Sequence, residues 1–290
     1  MSVRERTPSL LRREPRSGDA AALHRGLYRG EVYHSPGTAA AKELSATAME
    51  AVRRAFADVG DPGLAQFELD GDAFFGRIKA LRRTFYMEDE WRARVADVVA
   101  AAGFDLERTA FDPLKLRVVQ SAGHENPAAK AVFQSHRDVW YSHPSCLLTW
   151  WIALHDASEE ETFVFYPDAF DKPVPNDSEA FDYDDWVKDG PDLKIGWQDI
   201  QAGRTAVFPC LQGDLDAGLA RSQGFRPRAS DELLFAGAQL HKTLPHSSGR
   251  TRFSVDFRII DTVHAQESVG APLVDTRCRG SAIGDYLPLG

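Results

Sequence analysis

The sequence predicts a mainly β protein with flanking α-helices, built on a double-stranded β-helix, or jelly-roll, core. Three observations predict it. Apolar residues recur at helical spacing between residues 38 and 103, the period then shortens to two, and seven strand-like segments follow, separated by turn residues. Many short strands after a helical start suggest such a core.

The elements follow in order. Residues 1–16 carry five arginines with no apolar segment behind them, so the start is neither a secretory signal nor an anchor. It reads as a loose basic tail reaching to about residue 30. Residues 38–59 read as a helix, with Leu44, Ala48, Val52 and Phe56 every fourth position and Gly60 as its stop. Asp72 caps a second helix through Phe74, Phe75, Ile78 and Leu81. A third carries Trp91, Val95, Val98 and Val99 before Gly103. Together, residues 38–103 form a helical buttress for the outside of a sheet. Strands are expected at 114–120, 132–136, 146–154, 162–166, 205–209, 232–241 and 251–260. Residues 114–260 are thus the jelly-roll core, interrupted by an acidic insertion at 167–200.

A chain of 290 residues with 43% hydrophobic content and no linker reads as a single domain, 1–290. Its formal charge of −9 argues against nucleic acid and acidic membranes as partners, and no apolar run approaches transmembrane length. Cys146, Cys210 and Cys278 show neither disulfide nor zinc spacing, which points to a reducing cytoplasm.

His136-Arg137-Asp138 is the first chemical signal. On an extended strand alternate side chains share a face, so His136 and Asp138 offer an imidazole and a carboxylate to one ion while Arg137 points away. A third ligand must come from elsewhere. His241 ends the apolar run 233–241, and Pro245-His246-Ser247-Ser248-Gly249 then turns the chain back along a neighbouring strand. Two histidines and one carboxylate on one face of an octahedral ion leave positions open for a co-substrate and dioxygen, as in non-haem Fe(II) oxygenases.

Along Arg252-Phe253-Ser254-Val255-Asp256-Phe257-Arg258 the alternation is strict, with Arg252, Ser254, Asp256 and Arg258 on one face. If that face points inward, Arg252 and Ser254 suit an interior that holds a carboxylate, because a guanidinium binds it bidentately and a hydroxyl adds one more bond. A solvent-facing strand with one ion pair is the alternative.

On these residues the stretch 114–260 resembles the Fe(II)/2-oxoglutarate-dependent dioxygenases, most of all the phytanoyl-CoA hydroxylase-like superfamily with its cupin-like core. The resemblance implies His136, Asp138 and His241 as metal ligands and catalytic centre. It places Arg252 at the far carboxylate of 2-oxoglutarate, with Ser254 completing an Arg-x-Ser, and Thr149 near that co-substrate. Fe(II), 2-oxoglutarate and O2 are the implied cofactors. The intact Asp138 points to oxygen chemistry, since halogenating relatives replace the carboxylate with a small residue. Hydroxylation is the default outcome, with desaturation, ring closure or epimerisation as variants. Pro167-Asp168-Ala169-Phe170 departs from the family's Pro-Gly-Ser-His turn. His246 lies only six residues before Arg252, too near for the family's spacing, so His241 is preferred. His143 precedes Pro144 and belongs to a loop that lines the pocket. His24, His34, His124, His155 and His264 have no partner at ligand spacing and read as surface or capping residues.

The substrate reads as a small molecule such as an amino acid or an amine-bearing intermediate of secondary metabolism. Lys115 and Arg117 share a strand face, and Arg117, with Tyr141 and Trp151, is a candidate to bind it. Between 168 and 192, eight Asp and one Glu face two Lys beside Phe170, Phe181, Tyr183 and Trp186. Such a segment is either a lid that recruits a cation or a solvated loop. Two other function classes stay open: a zinc hydrolase using the same three ligands, in which Arg252 has no clear role, and a non-catalytic jelly-roll that binds a ligand or partner.

Overall fold

The computed structural model describes residues 11–12, 19–188 and 208–290. The expected strand at 205–209 and the end of the acidic insertion fall largely outside these residues, as do 1–10 and 13–18 of the expected tail. Residues 20–27, read as part of that tail, instead form helix α1 (Ala20–Leu27). Asp19 caps it by accepting from the Ala22 N–H, and Leu23 and Leu27 are buried. The chain continues into strand β2 (Val32–Ser35), which pairs in parallel with β1 (Leu11–Arg12).

Three longer helices follow, as the periodicity predicts. The Thr38 side chain caps α2 (Ala39–Ala55), which buries Leu44, Ala48 and Val52. After the short α3 (Ala65–Glu68), α4 (Gly71–Met87) starts two residues earlier than expected. Its cap is Asp70, whose carboxylate accepts from the Ala73 N–H at 2.8 Å, and Asp72 sits in the first turn instead. Helix α5 (Asp89–Ala101) buries Trp91, Val95, Val98 and Val99.

These helices cover one face of a seven-stranded sheet of order β1-β2-β6-β4-β8-β3-β9, antiparallel at every junction but the first. Its further strands are β3 (Thr109–Val119), β4 (Leu148–Ala153), β6 (Glu232–Ala236), β8 (Arg252–Asp261) and β9 (Leu287–Pro288). Cross-strand register assigns the faces. Trp150 lies opposite Leu234 and Phe257, and these residues join the helices in one apolar core. Thr149, Trp151 and Ala153, of the other parity, face the opposite way, so β4 is buried on both sides.

A small sheet of β5 (Phe163–Phe165) and β7 (His241–Thr243) faces that inner side. Phe163 and Phe165 pack there with Trp151, Phe225 and Phe235. The run 232–241 is therefore not one strand. β6 ends at Ala236, and the chain crosses to the second sheet before His241. A glycine is needed at the crossing, because a Cβ on Gly237 would lie 2.4 Å from the Leu147 side chain. The expected strand at 132–136 is also absent: a 3-10 segment spans Pro127–Phe133, and only His136 bridges, to His241.

Beyond the core, the acidic insertion contributes α6 (Tyr183–Lys188), and β8 runs directly into α7 (Thr262–Glu267). Cys146, Cys210 and Cys278 are unpaired. No helix among the described residues is long and apolar enough to cross a membrane.

Candidate metal centre and its cavity

His136 and His241 sit directly opposite each other in a reciprocal antiparallel bridge, each donating its N–H to the other's carbonyl at 3.0 Å. Residues so paired project to the same face, and their ring centroids lie 4.3 Å apart. The chain bends after Arg137 into the 3-10 turn Asp138–Tyr141, which carries the carboxylate round toward the imidazoles. His136 Nε2 is 3.8 Å from Asp138 Oδ1, and one ligand atom from each of His136, Asp138 and His241 lies within 4.8 Å of the others.

The imidazoles are prepared for coordination. Each Nδ1 lies 3.0 Å from the carbonyl two residues upstream, Gln134 for His136 and Gln239 for His241. Nδ1–H donating to that carbonyl places the free lone pair on Nε2. Burial, with the neighbouring His241, pushes the His136 pKa down to about 3, and burial lowers that of His241. Both rings are thus neutral near pH 7, as ligands must be. Burial alone would raise the Asp138 pKa. The Arg258 guanidinium and the two imidazoles overcome it and hold the carboxyl far below the usual range. The donor set fits a divalent transition metal in the two-histidine, one-carboxylate arrangement.

Both Asp138 oxygens are held from behind. Thr149 donates its hydroxyl to Oδ2 at 2.6 Å, and Arg258 donates to Oδ1 at 3.2 Å. Thr149, expected near the co-substrate, here has its only hydroxyl proton committed to the metal-site carboxylate, and a co-substrate carboxylate could offer no proton in return. Arg258 also reaches Asp112 Oδ2 at 3.2 Å, and Asp112 is ion-paired with Lys115. Asp112 and Lys115 share this side of β3 despite their odd spacing because the register shifts between them, at the Pro113-Leu114 bulge. The sequence signalled Arg258 as part of the polar face of β8 but gave no sign of its partners.

Arg252, Asp256 and Arg258, on the polar face of β8, line a cavity of about 280 Å³ together with the candidate ligands His136, Asp138 and His241. Arg252 is 3% exposed. It donates to Ser254 Oγ at 3.1 Å, and its guanidinium lies 5.8 Å from the centre of a Trp151 ring. No carboxylate is at ion-pair distance among the described residues, and burial, with Arg117 nearby, pushes its pKa down to about 10. Trp151 itself donates Nε1–H to Ser254 Oγ at 2.9 Å, so it packs as part of the Arg252 setting. Arg117 does line the cavity, but it forms a bidentate pair with Asp256 at 2.8 Å through both bonds. Tyr141 lines the cavity too, its ring 5.5 Å from His136.

Arg137 turns away from the metal, as expected, but not to solvent. It is 1% exposed, pairs with Asp275, and donates to the carbonyls of Ala169, Lys172 and Ala238. It thereby anchors the Pro167–Ala169 turn, where the family pattern fails. In the insertion, Phe181, Tyr183 and Trp186 line the cavity, whereas Asp168 and Asp182 pair outward with Arg221 and Arg279. Among the described residues of this segment, the aromatic side and not the acid lines the cavity. His246 belongs to another cluster: Nδ1 lies 3.1 Å from Ser248 Oγ, whose hydroxyl donates to Glu161. His143 lines the cavity and pairs with the Tyr286 hydroxyl.

Replacing Arg258 by Met removes the cation shared by two buried carboxylates. The metal-free protein is expected to lose about 3 kcal/mol, the low end for breaking a buried pair because Asp112 keeps its ion pair with Lys115. A divalent metal neutralises Asp138 in its place, so metal-induced stabilisation should exceed that of the wild type. Thermal melts with and without metal check this, and equal metal shifts in both proteins would remove Arg258 from the centre.

No family model matches the chain, and no curated protein matches it. Among solved structures it is similar to the epimerase SnoN in complex with Fe3+, alpha ketoglutarate and nogalamycin RO. That likeness is 19% identity over 84% of this chain and 85% of that one, with a TM-score of 0.45. AviO1 from Streptomyces viridochromogenes Tue57 is similar at 12% identity over 84% and 96%, TM-score 0.41. The nickel complex of ThoJ, a non-heme monooxygenase, follows at 13% over 87% and 81%, TM-score 0.39. Likenesses this distant leave the chemistry to the side chains themselves.

Proposed function

We propose that the chain is a non-haem Fe(II) dioxygenase that couples oxidative decarboxylation of 2-oxoglutarate to hydroxylation, or a related C–H oxidation, of a small molecule. One juxtaposition carries the reading: a His136/Asp138/His241 donor set with both Nε2 atoms free, and in the same cavity a buried guanidinium, Arg252, with no carboxylate partner among the described residues. His136, Asp138 and His241 would hold the iron, which with 2-oxoglutarate and O2 supplies the oxidising power. Arg252 and Ser254 would bind the co-substrate's far carboxylate, a charge-assisted fork for which Trp151 provides a flat wall. Thr149 and Arg258 orient Asp138 before the ion arrives, so little rearrangement is needed on binding. Tyr141, Phe181, Tyr183 and Trp186 border the remaining space and exclude water from it.

The two facing sheets, joined by the crossing at Gly237, support a double-stranded β-helix of the phytanoyl-CoA hydroxylase-like type. Arg117 is engaged by Asp256, so a substrate carboxylate would have to displace an existing bidentate pair. That favours a substrate recognised by shape and hydrogen bonding over a simple amino acid held by its carboxylate.

The test is anaerobic loading with Fe(II) and 2-oxoglutarate. Chelation of the metal by the co-substrate gives a visible charge-transfer band, and oxygen then yields succinate. Both are expected without knowledge of the substrate, since slow uncoupled turnover suffices. Neither signal, alongside zinc-dependent hydrolysis of an ester or amide, would replace this reading with the hydrolase.

A further inference from the structure

A second pair of imidazoles meets a carboxylate outside the cavity. Asp261 ends β8 three residues beyond Arg258 and, by alternation, faces away from the metal centre. Its Oδ1 accepts from the N–H groups of Val263 and His264 at 2.9 and 3.0 Å, which starts α7 and brings the His264 ring alongside. From α1, His24 reaches the same point. One ligand atom from each of His24, Asp261 and His264 lies within 4.8 Å of the others, and the two rings meet edge to face at 4.8 Å.

His24 is 8% exposed, no hydrogen bond to its ring is found among the described residues, and its neighbours are the rings of Tyr28, Phe104 and His264. Burial, with His264, pushes its pKa down to about 4, so the ring is neutral with a lone pair to give. His264 is oriented in the way metal-binding imidazoles usually are, with Nδ1 3.0 Å from the Tyr28 hydroxyl and Nε2 left over. Asp261 is fixed by two backbone N–H groups and by Arg108, whose guanidinium is 2.9 Å from Oδ2. That bond leaves Oδ2 a further lone pair.

We propose that His24, His264 and Asp261 form a second metal site, for a tetrahedral divalent ion such as zinc, that staples α1 to the junction of β8 and α7. Two imidazole nitrogens and one carboxylate oxygen are a zinc-type donor set, with water in the fourth position. The site lies apart from the cavity lining and its role is structural. It ties the N-terminal helix to the strand that carries Arg252 and Arg258 at its other positions, and it contradicts the sequence expectation that His24 and His264 are unconnected surface residues.

Titration of chelator-treated protein with Zn(II), followed by calorimetry, tests this. The wild type is expected to bind two equivalents, His24→Ala one, and His241→Ala one, so that failure at either centre is seen separately. A single equivalent lost in His241→Ala but kept in His24→Ala overturns the second site, as do two equivalents that persist in His24→Ala, or none at all. Should His24→Ala fail to fold, diethylpyrocarbonate modification of His264 in the wild type decides. Zinc is expected to protect that residue, and equal modification with and without zinc overturns the proposal.

Discussion

Changing His241 to alanine is expected to weaken metal binding at the cavity about a hundredfold or more and to abolish turnover, whereas His246→Ala is expected to leave both intact. Zinc-finger affinities of about 10–16 kcal/mol spread over four ligands correspond to roughly 3 kcal/mol per ligand, so losing one weakens binding about a hundredfold or more. His241 has no local substitute. Its ring is set by the bridge to His136 and by the Gln239 carbonyl, and among the described residues its ligand-distance companions are His136 and Asp138. His246 is buried as well, but it faces Ser248 and the Glu161 carboxylate cluster. Its loss should lower stability modestly without touching affinity. Calorimetric titration with Fe(II) or Co(II), on variants whose circular dichroism matches the wild type, separates the two. Full binding by His241→Ala, or its loss in His246→Ala, would mean that the wrong imidazole was assigned.

Much of this site was written in alternation. The polar parity of β8 names Arg252, Ser254, Asp256 and Arg258 as one face, and in the structure Arg252, Asp256 and Arg258 line the cavity while Ser254 is buried beside Arg252 and Trp151. Where the pattern breaks, the sequence misleads. Residues 233–240 are apolar but for Gln239, because β6 and the crossing to β7 are both buried, and apolarity alone does not reveal that the chain changes sheet at Gly237. Alternation begins β3 at 114 and leaves Asp112 outside it, because the bulge that brings Asp112 beside Lys115 depends on pairing with β8, a long-range contact. The His-x-Asp pair was legible as chemistry but not as geometry. A single bridge and a 3-10 turn, not an extended strand, put Asp138 beside His136. Helix α1 was lost among the arginines preceding it, although Asp19 three residues before Ala22 is an ordinary capping signal.

Arg252→Ala is expected to weaken 2-oxoglutarate binding by about a hundred- to a thousandfold while iron still binds, because truncating one partner of a buried charged pair costs on the order of 2–5 kcal/mol. The metal-free chain holds this guanidinium in an unfavourable state: it is buried, no carboxylate among the described residues pairs with it, and burial, with Arg117 nearby, lowers its proton affinity. A dicarboxylate relieves that strain in the wild type and has nothing to relieve in the variant. Stability measurements should therefore diverge in a definite way. Without ligand, Arg252→Ala is expected to be no less stable than the wild type, since it deletes an uncompensated charge. With saturating 2-oxoglutarate, only the wild type gains the stabilisation that follows from selective binding to the folded state. Arg252→Lys keeps the charge and loses the planar fork, so its affinity should fall between the two. Co-substrate affinity unchanged in Arg252→Ala would detach the guanidinium from 2-oxoglutarate and pass the role to another cation of the cavity wall, where Arg82, Lys115, Arg117 and Arg258 also lie.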